Sequence, residues 1–497
     1  MRPLSCLMPA PARRFVSGLT LSVALMTGAS SLALADRVYP GEEAIVFEAG
    51  ENRVDAYRGV LSVPENRADP ESRMIELVYV RFPATTDEPG DPIVYLSGGP
   101  GGSGISTARF RRFDLFMQMR EHGDVIAYDQ RGTGESNDMP NCESGVNIPL
   151  AEATSDAELG ALYRDAALVC RDFWDGEGID INAYNTRESV RDLSDLRTHL
   201  EADQLTLWGI SYGSHLSLAA LKDIEDEIGH VIIASVEGLD QTVKSPARTD
   251  AYFARLQTAL ETQPAAHARY GDIATLMRRV HARLDEEPML IMVPRREGEP
   301  VPYLLQRRNV QQFASGMISD PRNVGALFAM YAELDQGGSQ IVTAMLQRFF
   351  RPSEEIMLRP MSTAMDVASG VNADDLARFE TEAETSLLGL YLNFPMPQLN
   401  EAWDGLDLGD EFRTAPVSDV PVLVLSGTLD GRTYVESQAE AVAGLENAQI
   451  VTVHNAGHNL FMMSDEVQQS MHAFLRGEDQ SGREIIVDLP DFNELPF

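Results

Sequence analysis

Residues 209–213 read Gly-Ile-Ser-Tyr-Gly, and no other feature constrains the fold of this chain as tightly. Leu205-Thr206-Leu207-Trp208 before it is an apolar, strand-like run, and Ser214 to Leu221 after it has helix character. A serine between a strand and a helix, with glycine two residues to either side, marks a sharp turn that lifts its hydroxyl clear of the backbone. Such a turn is strained, and small neighbours let strand and helix pass closely. The first N–H of the helix, that of Tyr212, then points at a reacting carbonyl oxygen. Ser211 is therefore read as a nucleophile.

Short apolar, β-branched runs recur around this turn and alternate with helical stretches. They are Ile93–Leu96, Val125–Tyr128, Leu205–Trp208, Val231–Ala234, Val422–Leu425 and Ile450–Val453. Unbroken apolar runs of this length suit strands covered on both faces, hence a mostly parallel sheet flanked by helices, an α/β class. Ala44–Phe47, Gly59–Val63 and Ile75–Phe82 read as antiparallel strands that begin the sheet. Between about residues 240 and 415 helical periodicity replaces the strand rhythm. Ile273, Leu276, Met277, Val280 and Leu284 share one face, with Asp272 placed to cap. Phe253, Leu256 and Leu260 form a similar stripe. Met317, Phe328, Met330, Tyr331, Phe349, Phe350, Phe394 and Met396 are expected mainly in the core of that helical insertion. The expected organisation is a signal peptide over 1–35, a core over 36–239, a helical cap over 240–415, the rest of the core over 416–478 and a tail over 479–497.

A serine hydroxyl needs a base, and the base needs an acid to orient it. Val422–Leu425 runs into Ser-Gly-Thr-Leu-Asp, placing Asp430 just past a strand end. Ile450–Val453 runs through His454 into Asn-Ala-Gly-His, placing His458 on the next such loop. The order Ser, Asp, His, each on a loop after a strand, is that of the α/β-hydrolase triad. His454 and His458 stand four apart, but metal-ligand spacing of that kind works on a helix, and here a glycine turn intervenes. No metal and no cofactor is expected. Ser97 to Gly104 is glycine-rich and follows a strand. It lacks the lysine and the register of phosphate loops, so it is read as half of an oxyanion hole, with Gly99 donating beside Tyr212. Asp129 to Ser136 (DQRGTGES) is read as structural, an Asp–Arg pair and turn glycines shaping the neighbouring loop.

The chain has 40 basic and 76 acidic residues, a net charge of −36 over 497 residues. Such acidity repels nucleic acid and anionic membranes. Arg2, Arg13 and Arg14, an uncharged stretch from Phe15 to Leu34 and small residues at Ala33-Leu34-Ala35 read as a cleaved export signal. No later segment is long and apolar enough to span a bilayer, so no membrane insertion is expected after cleavage. The expected location is the periplasm or the medium. Cys6 leaves with the signal. Cys142 and Cys170 remain, and two cysteines in an exported chain point to one disulfide, the alternative being two separate buried thiols.

Taken together, VPENR (Val63–Arg67), GGPGGSG (Gly98–Gly104), DQRGTGES (Asp129–Ser136), WGISYGS (Trp208–Ser214), LSGTLD (Leu425–Asp430) and AGH (Ala456–His458) resemble the exported prolyl iminopeptidase and tripeptidyl aminopeptidase family of α/β-hydrolases. Cys142 and Cys170 lie where exported members tend to carry a cysteine pair. The resemblance implies a serine exopeptidase acting on peptides with a free N-terminus through an acyl-enzyme. In it Ser211 is the nucleophile, Asp430 the acid, His458 the base, and Gly99 and Tyr212 the oxyanion donors. The chain departs from the pattern in three places. Ser97 stands where the iminopeptidase branch has histidine, Glu237-Gly238 where Asp-Gly is usual, and Gly431-Arg432-Thr433 where a proline-containing turn follows the acid. An aminopeptidase binds a protonated amine with carboxylates. Glu237, just past a strand, is one candidate anchor, the alternative being a loop carboxylate bonded to backbone; Asp366 in the cap is a second. The competing functional reading is a carboxylesterase with the same triad.

Overall fold

The computed structural model describes residues 37–136, 139–348, 355–400, 402–403 and 405–494; the expected signal peptide, Phe349 and Phe350 lie outside them. Ten strands form one sheet. In chain order they are β1 (Glu43–Ala49), β2 (Asn52–Pro64), β3 (Met74–Phe82), β4 (Ile93–Leu96), β5 (Val125–Tyr128), β6 (Leu205–Ile210), β7 (Ile228–Ala234), β8 (Val422–Gly427), β9 (Ala448–His454) and β10 (Glu484–Ile486). Their spatial order is β1-β2-β3-β5-β4-β6-β7-β8-β9-β10. Pairings from β1 to β5 across β3 are antiparallel, and those from β5 through β4 to β10 are parallel. Parallel strands all end at one edge, so the loops after β4, β6, β7, β8 and β9 gather there. That edge is where open α/β sheets bind ligands.

Alternation along each central strand feeds two cores. Val94, Leu96, Leu205, Leu207, Val231, Ile233, Val422 and Val424 pack on one face. Ile93, Tyr95, Trp208, Ile210, Ile232, Leu423, Leu425 and Val453 pack on the other. Both faces are apolar because both are covered, which is why these strands read as unbroken runs.

Most of residues 246–413 is helical. Ser245, Asp272 and Asn372 cap helices Pro246–Glu261, Ile273–Glu286 and Ala373–Ala383 by accepting bonds from first-turn N–H groups. Phe253, Leu256, Leu260, Ile273, Leu276, Met277, Val280, Leu284, Met317, Phe328, Met330 and Tyr331 form a separate buried core. The helical periodicity did not show the strands in this region. Met289–Val293 and Val301–Leu305 form a hairpin, and Glu355–Leu358 pairs antiparallel with Cys142–Asn147. The tail packs as well: β10 adds to the sheet edge, and Phe492 is buried in the cap core. Cys142 and Cys170 form a disulfide that ties the strand Cys142–Asn147 to the helix Asp156–Gly176.

The DQRGTGES segment is built differently from the expected Asp–Arg pair. Arg131 is fully buried and grips Asp192, Nε to Oδ2 at 2.7 Å and Nη2 to Oδ1 at 2.8 Å, and also donates to the carbonyls of Glu65 and Ala183. Arg67 adds a second guanidinium to Asp192 at 2.7 Å. Asp129 instead accepts from Ser103 Oγ at 2.7 Å and from the N–H groups of Ile105 and Glu135. It therefore holds the far end of the glycine-rich loop after β4. Truncating one member of a buried ion pair strands the other charge. Arg131→Met should therefore lower unfolding free energy by about 3–5 kcal/mol, measured by urea denaturation; a loss below about 1 kcal/mol would refute this account of the network.

Candidate active site

Ser211 ends β6 with φ 56° and ψ −125° and opens the helix Tyr212–Asp223. A non-glycine residue in this region is strained, and its surroundings must hold it there. Its N–H donates to Ala234 O at 3.1 Å, and its carbonyl accepts from Ser214 N at 2.7 Å and Ser214 Oγ at 2.5 Å. A Cβ on Gly213 would lie 2.0 Å from Leu96 O, one on Gly209 2.4 Å from Gly213 O. The glycines are thus required by the close passage of β4, β6 and the helix. The loop after β4 also comes near: a Cβ on Gly98 would lie 2.7 Å from Ile210 O and 2.8 Å from Ser211 Cβ. Gly99 has φ +133°, in the region that favours glycine. The Tyr212 N–H is the first of its helix and so has no partner within it. Gly99 and Ser211 line the same cavity.

The structure brings Asp430 and His458 together. Nδ1 of His458 lies 2.9 Å from Asp430 Oδ2 and 3.1 Å from Oδ1. Asp430 is fully buried and also accepts from Arg432 N, Thr433 N and Thr433 Oγ1 at 2.8, 2.9 and 2.7 Å. Burial acts to raise its pKa, but the imidazole and the Thr433 bonds outweigh it and hold the carboxyl below its usual range. Thr433 escaped the sequence reading, although its place three residues after the acid is what lets one turn supply both bonds. The His458 loop is fixed from two sides: its N–H donates to Ser319 O in the cap, and its carbonyl accepts from Ser235 Oγ at 2.6 Å. With Nδ1 turned to the carboxylate, Nε2 is the nitrogen left for the serine. The Ser211–His458 hydrogen bond is not formed in this structure; such bonds often close only with substrate in place.

Ser211 and His458 open into a cavity of about 970 Å³ between sheet and cap. Phe394 lines it together with Tyr163, Tyr303 and Phe313, whereas Phe328, Met330 and Tyr331 are cap core. Glu237 reaches the cavity, but Lys244 Nζ sits 2.8 Å from its Oε2. Burial would raise the Glu237 pKa; Lys244, His215 and Arg432 more than reverse that, so the carboxylate is ionised and already paired. Asp366 is not among the lining residues. Its carboxyl is pushed up to about 8, first by burial and then by the Glu237 charge, against the pull of Lys244 and Arg432. His454 turns to Glu484 at 3.7 Å, with no shared ligand position with His458. Among the described residues one cluster has metal-ligating character, Glu121, His122 and His472, and none of the three lines the cavity.

Comparison with known proteins agrees with this architecture. Residues 91–301 match the model of the alpha/beta hydrolase fold, and residues 403–481 match that of TAP-like proteins. Fold and matches agree on the α/β-hydrolase fold. Within that fold its likeness is to peptidases, in line with the resemblance carried by the motifs. It is 27% identical over 181 residues to serine protease Hip1 of Mycobacterium tuberculosis, covering 35% of each chain. It is 27% identical over 187 residues to tripeptidyl aminopeptidase of Streptomyces lividans, covering 36% of this chain and 35% of that one. A probable proline iminopeptidase of Leptolyngbya boryana is 33% identical over 130 residues, 26% of each. The chain thus matches about a third or less of the length of these curated relatives. No helix among the described residues is long and apolar enough to cross a membrane.

Asp366 provides a pH test. A carboxyl whose pKa rises on folding binds its proton more tightly in the native state. Native stability then falls as pH climbs from the ordinary aspartate range to about 8 and levels off above that. Asp366→Asn removes this fall. Its denaturation midpoint should gain on the wild type's between about pH 4 and 8 and gain no further above it; parallel stability profiles would contradict the placement of this carboxyl.

Proposed function

We propose that the chain is an exported serine aminopeptidase that works through an acyl-enzyme. The observation that carries this reading is the bond of His458 to the buried Asp430 at 2.9 Å, with the imidazole on the same cavity as a serine at a strained strand–helix turn. Ser211 Oγ attacks the carbonyl carbon of the scissile bond while His458 Nε2 takes its proton. Asp430 stabilises the imidazolium and fixes the ring by its bond to Nδ1. The N–H groups of Gly99 and Tyr212 receive the oxyanion. His458 then protonates the leaving amine, the acyl-serine forms, and a water activated by the same imidazole releases the N-terminal fragment and restores Ser211 Oγ–H. A cavity near 970 Å³ has room for more than one residue on the acyl side. Glu237 is the candidate partner for the substrate ammonium, sharing its charge with Lys244, and Asp366 contributes charge only above about pH 8. Export follows from the reading of residues 1–35 and accords with the Cys142–Cys170 disulfide.

One observation favours a carboxylesterase instead. Glu237, one of two carboxylates lining the cavity, is neutralised by Lys244, and an ester substrate needs no anchor for an amine. Alanine and proline naphthylamides with free amines, set against N-blocked short acyl nitrophenyl esters, separate the two. The aminopeptidase turns over the free-amine amides and rejects their N-blocked forms; inert amides with rapid ester turnover would overturn it. Ser211→Ala should lower kcat by about 10⁶-fold and abolish fluorophosphonate labelling. Asp430→Asn should keep the label but lower kcat by about 10⁴-fold. Activity surviving in Ser211→Ala would exclude this site.

A further inference from the structure

The charge of the cavity is opposite to that of the protein. The chain carries −36, yet five cationic side chains, Arg111, Arg112, Lys244, Arg308 and Arg432, line the cavity against two carboxylates, Glu152 and Glu237. Lys244 neutralises Glu237 at 2.8 Å, and Arg308 leans on Asp156 at 3.5 Å. Among the described residues the two arginines beside the triad form no ion pair of this kind, although the charge of Arg432 is felt by Glu237 and Asp366. Arg432 follows the acid by two residues. Its backbone N–H donates to Asp430, while its guanidinium spends one Nη1 bond on Ser315 Oγ at 3.0 Å. Arg112 is 6% exposed and packs over the rings of Tyr95 and Phe461. It donates to the Tyr95 hydroxyl and, at 2.6 Å, to Asn459 Oδ1, the residue after His458, and its Nε is buried with no acceptor. Burial pulls its pKa down.

A buried guanidinium without a paired anion is costly, and Arg112 is one; Arg432, half-buried on the same cavity as Ser211, adds a second positive charge, which suits a ligand that brings the anion. We infer that the catalytic cavity recognises a carboxylate on its substrate, with Arg432 as the principal contact and Arg112 as the second. This rests on the peptidase reading for the rest of the substrate, which makes the substrate a peptide that presents a carboxylate to the cavity. The carboxylate comes either from an Asp or Glu side chain or from the free C-terminus of a short peptide. A guanidinium serves both, since its planar fork matches a carboxylate.

The test uses matched peptides with a free N-terminus: Glu against Gln at each of the first three positions, and each peptide as C-terminal acid and amide. A charge-assisted bond in such a site corresponds to about a ten- to hundredfold preference in kcat/KM for the carboxylate form. A Glu/Gln preference surviving amidation assigns the side chain; an acid/amide preference without one assigns the C-terminus. Either preference should shrink several-fold in high salt. Arg432→Gln should collapse the ratio towards unity, Arg432→Lys should restore part of it, and Arg432→Glu should invert it. Wild-type ratios near one in both comparisons would overturn the inference while leaving the aminopeptidase reading standing. If no peptide is cleaved, the same peptides are measured as competitive inhibitors of nitrophenyl ester hydrolysis. Tighter inhibition by the carboxylate forms then supports carboxylate recognition although the peptidase reading has failed; equal inhibition overturns both. The wild-type comparison needs no variant to fold.

Discussion

The molecule depends on one steric condition: the backbones of β4, β6 and the helix after Ser211 must pass almost in contact. Gly213 faces Leu96 O so closely that a methyl group would sit at 2.0 Å from it, and one on Gly98 would lie 2.7 Å from Ile210 O at the serine turn. This crowding holds Ser211 at φ 56°, because no relaxed conformation fits between the two chains. The strain is supported by the interior of the sheet, where Tyr95, Phe116, Trp208 and Phe461 interlock edge to face. Rigidity at Ser211 is thus a property of the core, and the loops that carry Asp430 and His458 are added to an edge already fixed.

Much of that edge was legible in the sequence for a simple reason. A covered parallel strand writes itself as a short apolar run, and whatever follows the run lies at the C-terminal edge. Ser211, Asp430 and His458 could be found because each comes directly after such a run. Pairing across the fold was less legible. Arg131 finds Asp192, sixty-one positions away, rather than its neighbour Asp129, because Asp192 comes from the helix Thr186–His199 while Asp129 is already used by Ser103. The partner of Glu237 was hidden for a different reason. Lys244, one of only two lysines in the chain, gives no periodic signal, and only the turn after β7 brings it back onto the carboxylate.

Net composition does not report local charge: the chain is strongly acidic, yet among the charged residues that line the cavity arginines from 111–112, 308 and 432 outnumber the carboxylates. Net charge averages over a surface on which most bases are tied up in pairs such as Arg279 with Asp335 and Arg248 with Glu440. What a ligand meets is set by those left over, and which are left over is decided by the tertiary fold.

The end of one cap helix is pressed against the loops that carry Asp430 and His458. A Cβ on Gly431 would lie 2.3 Å from Ile318 O and one on Gly457 2.6 Å from Ser319 O, while Ser319 O also accepts the His458 N–H at 2.8 Å. The base-bearing loop therefore takes part of its position from a segment outside the sheet. Transplanting another cap onto this scaffold would succeed only if the graft reproduced two carbonyls at that spot, so the roof cannot be exchanged as a freely replaceable module.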